Sequence, residues 1–428
     1  MLDYRMFENS FTSQRNTKIF FYGFIALISL YLLTKGAVIA PDSHGYLAMS
    51  SYRSLGYPLF LKAYQFFFQD AYGVLVAVQV GLGVLAIDHF LRTLNRHFFF
   101  SSFLYMMIFL FLFSPYFLIH GIGNQILTEA LCYPLFFMTL SFLIKFLRSN
   151  EIQSLLIAIG FALLLTLTRS QFIFLWPGFF ILVTYLFYKN GSLVSFLGRT
   201  LILVSVILSG QMMERTYSYI LTGSFKVVPF VGYQAVVLPL YLSKEKDADL
   251  FESPQEKAFF KDAYENLQEK RAHINYINDM NPLFHYDGLY NTICHQISGR
   301  AALKHLTSNP YVRDGQLISI SLTLIKNNFS SYLTHYVKTI INSLGGYWSF
   351  FVLMVFSFFV FMRNISQLSL AKETFLMLFM FHVGNLMLVA FFEPLISRYT
   401  LYTATPLWSF VLILLCSLFV TNKLEKAL

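Results

Sequence analysis

Two carboxylates and two guanidinium groups mark the ends of apolar runs in this chain. Asp42 follows the first long run, in Pro41-Asp42-Ser43-His44-Gly45-Tyr46, and the stretch continues to Arg53-Ser54-Leu55-Gly56-Tyr57-Pro58. A carboxylate so close to a membrane-spanning helix is costly without a partner or a task. As a general base, Asp42 would take a proton from a hydroxyl or amine nucleophile within hydrogen-bond reach. Its alternatives are a helix-end carboxylate in water, or an N-cap for the helix that follows. Glu129 opens a later run, in Asn124-Gln125-Ile126-Leu127-Thr128-Glu129-Ala130. It suits the helix dipole in a first turn, or it is a second carboxylate facing Asp42 that binds a cation or orients an acceptor.

Arg169, in Leu165-Thr166-Leu167-Thr168-Arg169-Ser170-Gln171, splits two apolar runs with almost no loop. Arg398, in Phe392-Glu393-Pro394-Leu395-Ile396-Ser397-Arg398-Tyr399, stands at the foot of the last run. The guanidinium fork donates in pairs and stays charged, which suits phosphate. Two such groups at membrane-surface depth suit a lipid-linked phosphate; the alternative is snorkelling to ordinary headgroups. Glu393 and Arg398 also read as a surface ion pair worth little. His285, Asp287 and His295, with His273 and His305, match no standard metal-site spacing. No metal site is therefore assigned. There is no Gly-rich phosphate loop, HExxH or nucleophile elbow, so nucleotide hydrolysis on a soluble domain has no support.

The elements that must position these residues are membrane helices. Of the 428 residues 56% are hydrophobic and 12% charged. That charged share is about half the usual one in soluble proteins, and apolar runs of ~18–22 residues recur, the length that spans a bilayer. The reading is an all-α polytopic membrane protein with about ten spans. They fall near 19–40, 72–94, 98–119, 130–147, 152–168, 171–188, 194–212, 345–362, 373–392 and 404–421. The first run is too long for a signal peptide core. Cys132, Cys294 and Cys416 are too scattered for a disulfide framework.

Charge sets the sidedness. Arg5, Arg15 and Lys18; Arg92 and Arg96; Lys145 and Arg148; Lys189 and Arg199; Arg363 and Lys372; Lys423 and Lys426 all fall on one side if both termini are cytoplasmic. That is the positive-inside pattern, and it accounts for the net charge of +9 without nucleic acid. The expected location is a cell inner membrane. The outer side then carries Asp42, His44, Arg53, Lys62, Asp70, Glu129, Arg169, Glu393 and Arg398, which that rule leaves unexplained. Asp88 and His89 are an exception, near the cytoplasmic end of their span.

Three regions follow. Residues 1–212 form an N-terminal membrane module of about seven spans, with a first outer loop at 41–71. In that loop Tyr46-Leu47-Ala48-Met49 and Leu59-Phe60-Leu61-Lys62-Ala63-Tyr64 read as short interfacial helices, separated where Pro58 disfavours helix at Tyr57. Residues 213–344 form a mainly helical extracytoplasmic domain, with a helix from Gln255 to Lys270 and turns at Asn281-Pro282 and Asp287-Gly288. Residues 318–344 lie along the membrane surface. Residues 345–428 return to the membrane. Asn328-Phe329-Ser330 fits a glycosylation sequon.

Several of these stretches together resemble the C-type (GT-C) glycosyltransferases. The closest likeness is to the bacterial branch related to protein O-mannosyltransferases and the lipid A aminoarabinose transferase. Pro41-Asp42-Ser43-x-Gly45-Tyr46 with Gly56-Tyr57-Pro58-Leu59-Phe60 is similar to the family's first outer loop. Leu127-Thr128-Glu129-Ala130-Leu131, Leu167-Thr168-Arg169-Ser170-Gln171 and Ser397-Arg398-Tyr399 before Pro406 follow in order. Ile325 to Tyr332 resembles the segment before the eighth span, with Phe329 in place of the usual Pro. The resemblance implies a GT-C-like layout, with the outer domain between spans 7 and 8. It implies transfer of a sugar from a polyprenyl-phosphate donor to an envelope glycan, lipid or protein at the outer face, with inversion.

Asp42 is then the base, and Glu129 the second catalytic carboxylate, because positions 43 and 44 are Ser and His. His44, Tyr46, Arg53, Tyr57, Lys62, Arg169, Arg398 and Tyr399 are the expected substrate-binding residues. A divalent cation is the one candidate cofactor, and membrane lipids are the remaining partners. The competing expectations are an O-antigen polymerase or ligase with a pyrophosphate-linked donor, and a transporter or flippase.

Overall fold

The computed structural model describes residues 11–118, 121–276, 282–344, 355, 369–392 and 397–427. Every regular element among them is helical, and one isolated bridge joins Val38 to Gln125. Six helical stretches among the described residues are long and apolar enough to cross a membrane: Tyr72–Phe98, Glu129–Ser149, Ser170–Lys189, Leu193–Thr222, Leu370–Phe392 and Tyr399–Cys416. The span expected at 345–362 lies, apart from Val355, outside the described residues. So do Arg363 and Glu393.

In chain order, α1 is Phe11–Lys35, α2 Ser43–Leu47, α3 Gly56–Phe68 and α4 Tyr72–Phe98. Then come α5 Ser102–Phe113, α6 Glu129–Ser149, α7 Ile152–Thr168, α8 Leu175–Asn190 and α9 Leu193–Thr222. The burial of α4 shows why it packs. Leu75, Val76, Gln79, Val80, Gly83, Ile87, Phe90, Leu91 and Leu94 recur at helical spacing and are buried, the stripe expected of a packed helix face. On α9, by contrast, only Leu203, Gly210, Tyr217 and Ser218 are buried. Leu193, Val194, Leu197, Leu201 and Leu208 are all exposed. A helix apolar all round, with so little of its surface packed, is stable only in hydrocarbon.

The ends of the helices differ from expectation in instructive ways. The span expected at 194–212 continues to Thr222, because no Gly or Pro follows 212 until Gly223, whose φ of +71° ends the helix. The helical region after α9 therefore begins at 223, ten residues after the 213 expected for the domain. Pro58 does not separate the two short helices. It is the third residue of α3, a position whose N–H has no intrahelical partner anyway, and the break falls at 48–55. Asp287-Gly288 is no turn: it lies inside the helix Pro282–Asn291.

Beyond α9, α10 is Val231–Ala235, α11 Val237–Tyr241, α12 Pro254–Glu269, α13 Pro282–Asn291 and α14 Arg300–His305. α15 is Pro310–Asn327 and α16 Phe329–Ser343. They enclose an apolar core of their own, with Val237, Leu240, Tyr241, Phe259, Ile293, Leu317 and Leu324 among its buried members. Asp247 is buried there and accepts from Asn327 Nδ2 at 2.9 Å, Asn328 Nδ2 at 2.7 Å and the Lys244 amide at 2.8 Å. Those bonds hold a charge that burial would otherwise disfavour. They also close the Asn328 sequon, since the amide is committed and the residue only 7% exposed.

The domain sits on the end of α17, Ser369–Phe392. The Tyr332, Tyr290 and Tyr336 hydroxyls donate to the carbonyls of Phe391, Phe392 and Met387. Two of these acceptors belong to the last turn, whose carbonyls lack helical partners. The last helix, α18, is Ser397–Ala427.

Replacing Asn328 by Ala removes one of Asp247's donors and is expected to cost about 1–3 kcal/mol. Limited proteolysis of the purified protein should then cut within 223–344 earlier than in wild type. An unchanged digestion would contradict this account of the domain.

Candidate functional site

The loop at 41–71 is tied down before it presents anything. Asn124 Nδ2 donates to the Leu32 and Gly36 carbonyls at 2.7 and 2.6 Å, which satisfies the open end of α1. The Val38 amide donates to Asn124 O at 2.7 Å, and the Ile126 amide to Val38 O at 3.1 Å. Ser43 is fully buried; its Oγ donates to Ile126 O and accepts from the Ala40 amide, both at 2.9 Å. The segment carrying Asp42 is thus stitched to the segment that leads into Glu129.

Asp42 immediately precedes α2. Its Oδ1 pairs with Arg53 Nη2 at 2.7 Å, and its side chain is 41% exposed. The Arg53 guanidinium lies over the Tyr46 ring, 4.7 Å from the centroid. Its Nε would stand 2.9 Å from a Cβ at Gly45, so Gly45 leaves the room in which Arg53 turns back to Asp42. Tyr46 meets Tyr57 edge to face at 5.2 Å.

Glu129 is the first residue of α6 and is nearly fully buried. Arg169 caps α7 in an extended conformation, before a short 3-10 turn at Ser170–Phe174. Its Nη1 donates to Glu129 Oε1 at 2.8 Å and to Thr128 Oγ1 at 3.2 Å. The guanidinium lies over the Tyr399 ring at 4.6 Å. All its hydrogen bonds to described residues leave from Nη1. The Tyr399 carbonyl is held by Gln171 Nε2 at 2.8 Å and Asn385 Nδ2 at 3.0 Å. Residues from α6, α7, α17 and α18 therefore fix one guanidinium.

The two ion pairs meet at Tyr46. Burial pushes its phenol pKa up; Arg53 and Arg169 pull it down, and Glu129 and Asp42 push it up again. Tyr57 is also shifted up, by burial first and then by Tyr46 and Glu129. Its hydroxyl is buried and has no hydrogen-bond partner among the described residues. A buried orphan hydroxyl of this kind calls for a ligand or water.

The structure thus brings together Asp42, Tyr46, Arg53, Tyr57, Glu129, Arg169 and Tyr399. His44 and Lys62 are exposed and make no side-chain hydrogen bond or ion pair among the described residues. Arg398 belongs to α18, but its side chain lies outside the described residues. No group of three or more His, Cys, Asp and Glu among the described residues suits a metal. Asp42 and Glu129 each already face a guanidinium, which is a poor donor set for a divalent cation. His273 bonds to Ser243 O and His305 to Asp262, in separate places, while His295 is exposed. The side chains of His285 and Asp287 lie outside the described residues.

Two positioning residues escape a reading of the sequence. Glu214 Oε1 accepts the Leu55 amide at 3.2 Å, one residue before α3. The continuing apolar pattern to Leu221 is the signal that places Glu214 on α9. Gly56 is the other. A Cβ there would lie 2.6 Å from Thr168 Oγ1 and 2.7 Å from the Thr168 amide nitrogen, so α3 docks directly against the backbone next to Arg169. No family model, curated protein or solved structure matches the chain.

Removing one partner of a buried pair strands the other charge, at a cost of about 3–5 kcal/mol. Glu129→Gln is therefore expected to unfold earlier than the Glu129→Gln/Arg169→Gln double variant in thermal melts in detergent. Equal melts would contradict a buried pair. Gly56→Ala meets backbone and should lower the melting temperature more than Gly45→Ala, which meets only the flexible Arg53 side chain. The reverse order would show that α3 does not rest on Thr168.

Proposed function

We propose that the chain is an integral-membrane glycosyltransferase that moves a sugar from a polyprenyl-phosphate donor to an envelope glycan, lipid or protein. The observation that carries this reading is the convergence of the Asp42–Arg53 and Glu129–Arg169 pairs on Tyr46. It sets a water-accessible base beside an arginine held at the mouth of the membrane helices. That is the division of labour a lipid-borne donor and a polar acceptor need.

In this reaction an acceptor hydroxyl gives its proton to Asp42 as its oxygen attacks the anomeric carbon. The bond from that carbon to the phosphate oxygen breaks, and its electron pair leaves with polyprenyl phosphate. The configuration inverts. Arg53 holds Asp42 aimed before the proton arrives. The leaving phosphate gathers negative charge, which Arg169 stabilises, with Arg398 as the second donor expected from the sequence. Glu129 acts through Arg169 and is a positioning residue here. The orphan Tyr57 hydroxyl is offered to a sugar hydroxyl.

The same reading includes a layout of about ten spans. It adds α1, α5, α7 and the 345–362 segment to the helices long enough to cross. α1 and α5 pack on α4, and α7 packs along α6, so these helices share the bundle. Both termini are cytoplasmic and the site is on the outer face of a cell inner membrane, with 223–344 beside it.

The test is transfer from radiolabelled polyprenyl-phosphate sugars by purified protein. Wild type should release label to an acceptor, and Asp42→Asn should lose about 100-fold or more while melting like wild type. Equal release by both would remove Asp42 from the mechanism. Release only from a pyrophosphate-linked oligosaccharide would replace this reading by a polymerase or ligase. Transport into liposomes without a glycosyl product would replace it by a transporter.

A further inference from the structure

Asp88 and His89 take no part in this mechanism. They lie on α4, beside the C-terminal end of α6. Lys145 is 16 residues beyond Glu129 on α6, about 24 Å along the axis at 1.5 Å per residue. The cluster there belongs to the opposite end of the bundle from the ion pairs described above.

Its bonding is unusual for cations. Lys145 Nζ stands 3.0 Å from His89 Nε2 and 4.3 Å from the Phe142 ring centroid. Arg148 Nη1 stands 2.7 Å from His97 Nδ1. Each of these cations thus meets an imidazole nitrogen, which can accept only when it carries no proton. Neither meets a carboxylate among the described residues. Arg96 acts electrostatically on His89, His97 and Lys145. Arg199 Nη2 donates to Asn150 Oδ1 at 2.9 Å and lies over the Phe146 ring. Arg92 pairs with Asp88, which also accepts from the Tyr105 hydroxyl.

Among the described residues the charge does not balance locally. Against Arg92, Arg96, Lys145, Arg148 and Arg199 stand Asp88 and the exposed Glu151. The C-termini of α4 and α6 add about half a negative charge each, leaving about two positive charges over. Lys145 and Arg148 are three residues apart on one helix, so their Cβ atoms are about 5–6 Å apart, a spacing that one phosphate can bridge. The turn from α4 into α5, just past His97, is apolar and exposed: Phe99 is 81% and Phe103 67% exposed. Rings at that depth suit acyl chains and not a dissolved anion.

We propose that this corner binds the phosphate of an anionic lipid headgroup, with Lys145 and Arg148 as its donors and Phe99 and Phe103 against its chains. The phosphate oxygens take the hydrogen bonds that His89 and His97 now accept. The site lies at the membrane end away from Glu129 and is independent of the transfer reaction.

The test uses delipidated full-length protein, melted in detergent with added phosphatidylglycerol, phosphatidylcholine or inorganic phosphate. Phosphatidylglycerol should raise the melting temperature at concentrations where the other two do not. Lys145→Gln/Arg148→Gln should need about tenfold more of it, while Lys257→Gln, on the outer domain, should titrate like wild type. Equal stabilisation by phosphatidylcholine, or an unshifted double variant, would overturn the site. Equal stabilisation by inorganic phosphate would overturn the lipid. Should the double variant not fold, native mass spectrometry of wild type decides the matter. Phosphatidylglycerol retained over phosphatidylcholine supports the site, and equal retention overturns it.

Discussion

A buried charge must be matched or it must not exist, and Glu129 imposes that constraint on this fold. Its side chain is 3% exposed, so its carboxylate needs Arg169 on one side and Thr128 beside it. Arg169 in turn needs to be held, because a pair whose geometry slips no longer offsets its desolvation. The holding comes from distant segments. Tyr399 supplies its ring, Gln171 and Asn385 supply the bonds that fix Tyr399, and Thr403 accepts from Asn385 at 3.1 Å. The N-terminal module and the last two helices are therefore joined by satisfying one guanidinium.

The loop at 41–71 inherits its position from that corner. Gly56 places α3 on Thr168, one residue before Arg169, and Glu214 anchors the same end from α9. At the loop's other end Ser43 and Val38 fasten it to the strand of chain that leads into Glu129. Asp42 is then the least buried of the four charges in the two pairs. A frame with one accessible carboxylate suits the base role proposed for Asp42, since the frame restricts its geometry before any substrate binds.

Much of this was legible in the sequence, for identifiable reasons. The membrane helices announce themselves through long apolar runs, and α7 matches its expected bounds of 152–168 because Glu151 and Arg169 flank it sharply. Asp42, Glu129 and Arg169 stand out because charge is rare where helices end in lipid. What stayed hidden depends on contacts between distant segments. Ser43 looks like any loop serine until Ile126 is beside it. Nothing in the sequence marks Arg53 as the partner of Asp42. Pro58 carries opposite meanings inside a helix and at its third residue, and Asp287-Gly288 was overridden by the packing of α13. The reach of α9 to Thr222 was in the pattern, but Glu214-Arg215 disguised it as the start of a polar domain.

The most direct test is to find where a bound donor places its sugar. A polyprenyl-phosphate sugar with a photoreactive diazirine on the ring would be bound to the purified protein, irradiated and mapped by peptide mass spectrometry. The expected labels fall on residues 42–57 and on the segment around Glu129, with none at Lys145 or Arg148. Labels confined to 223–344, or to the Lys145 end of the bundle, would contradict a transfer site built on the two ion pairs.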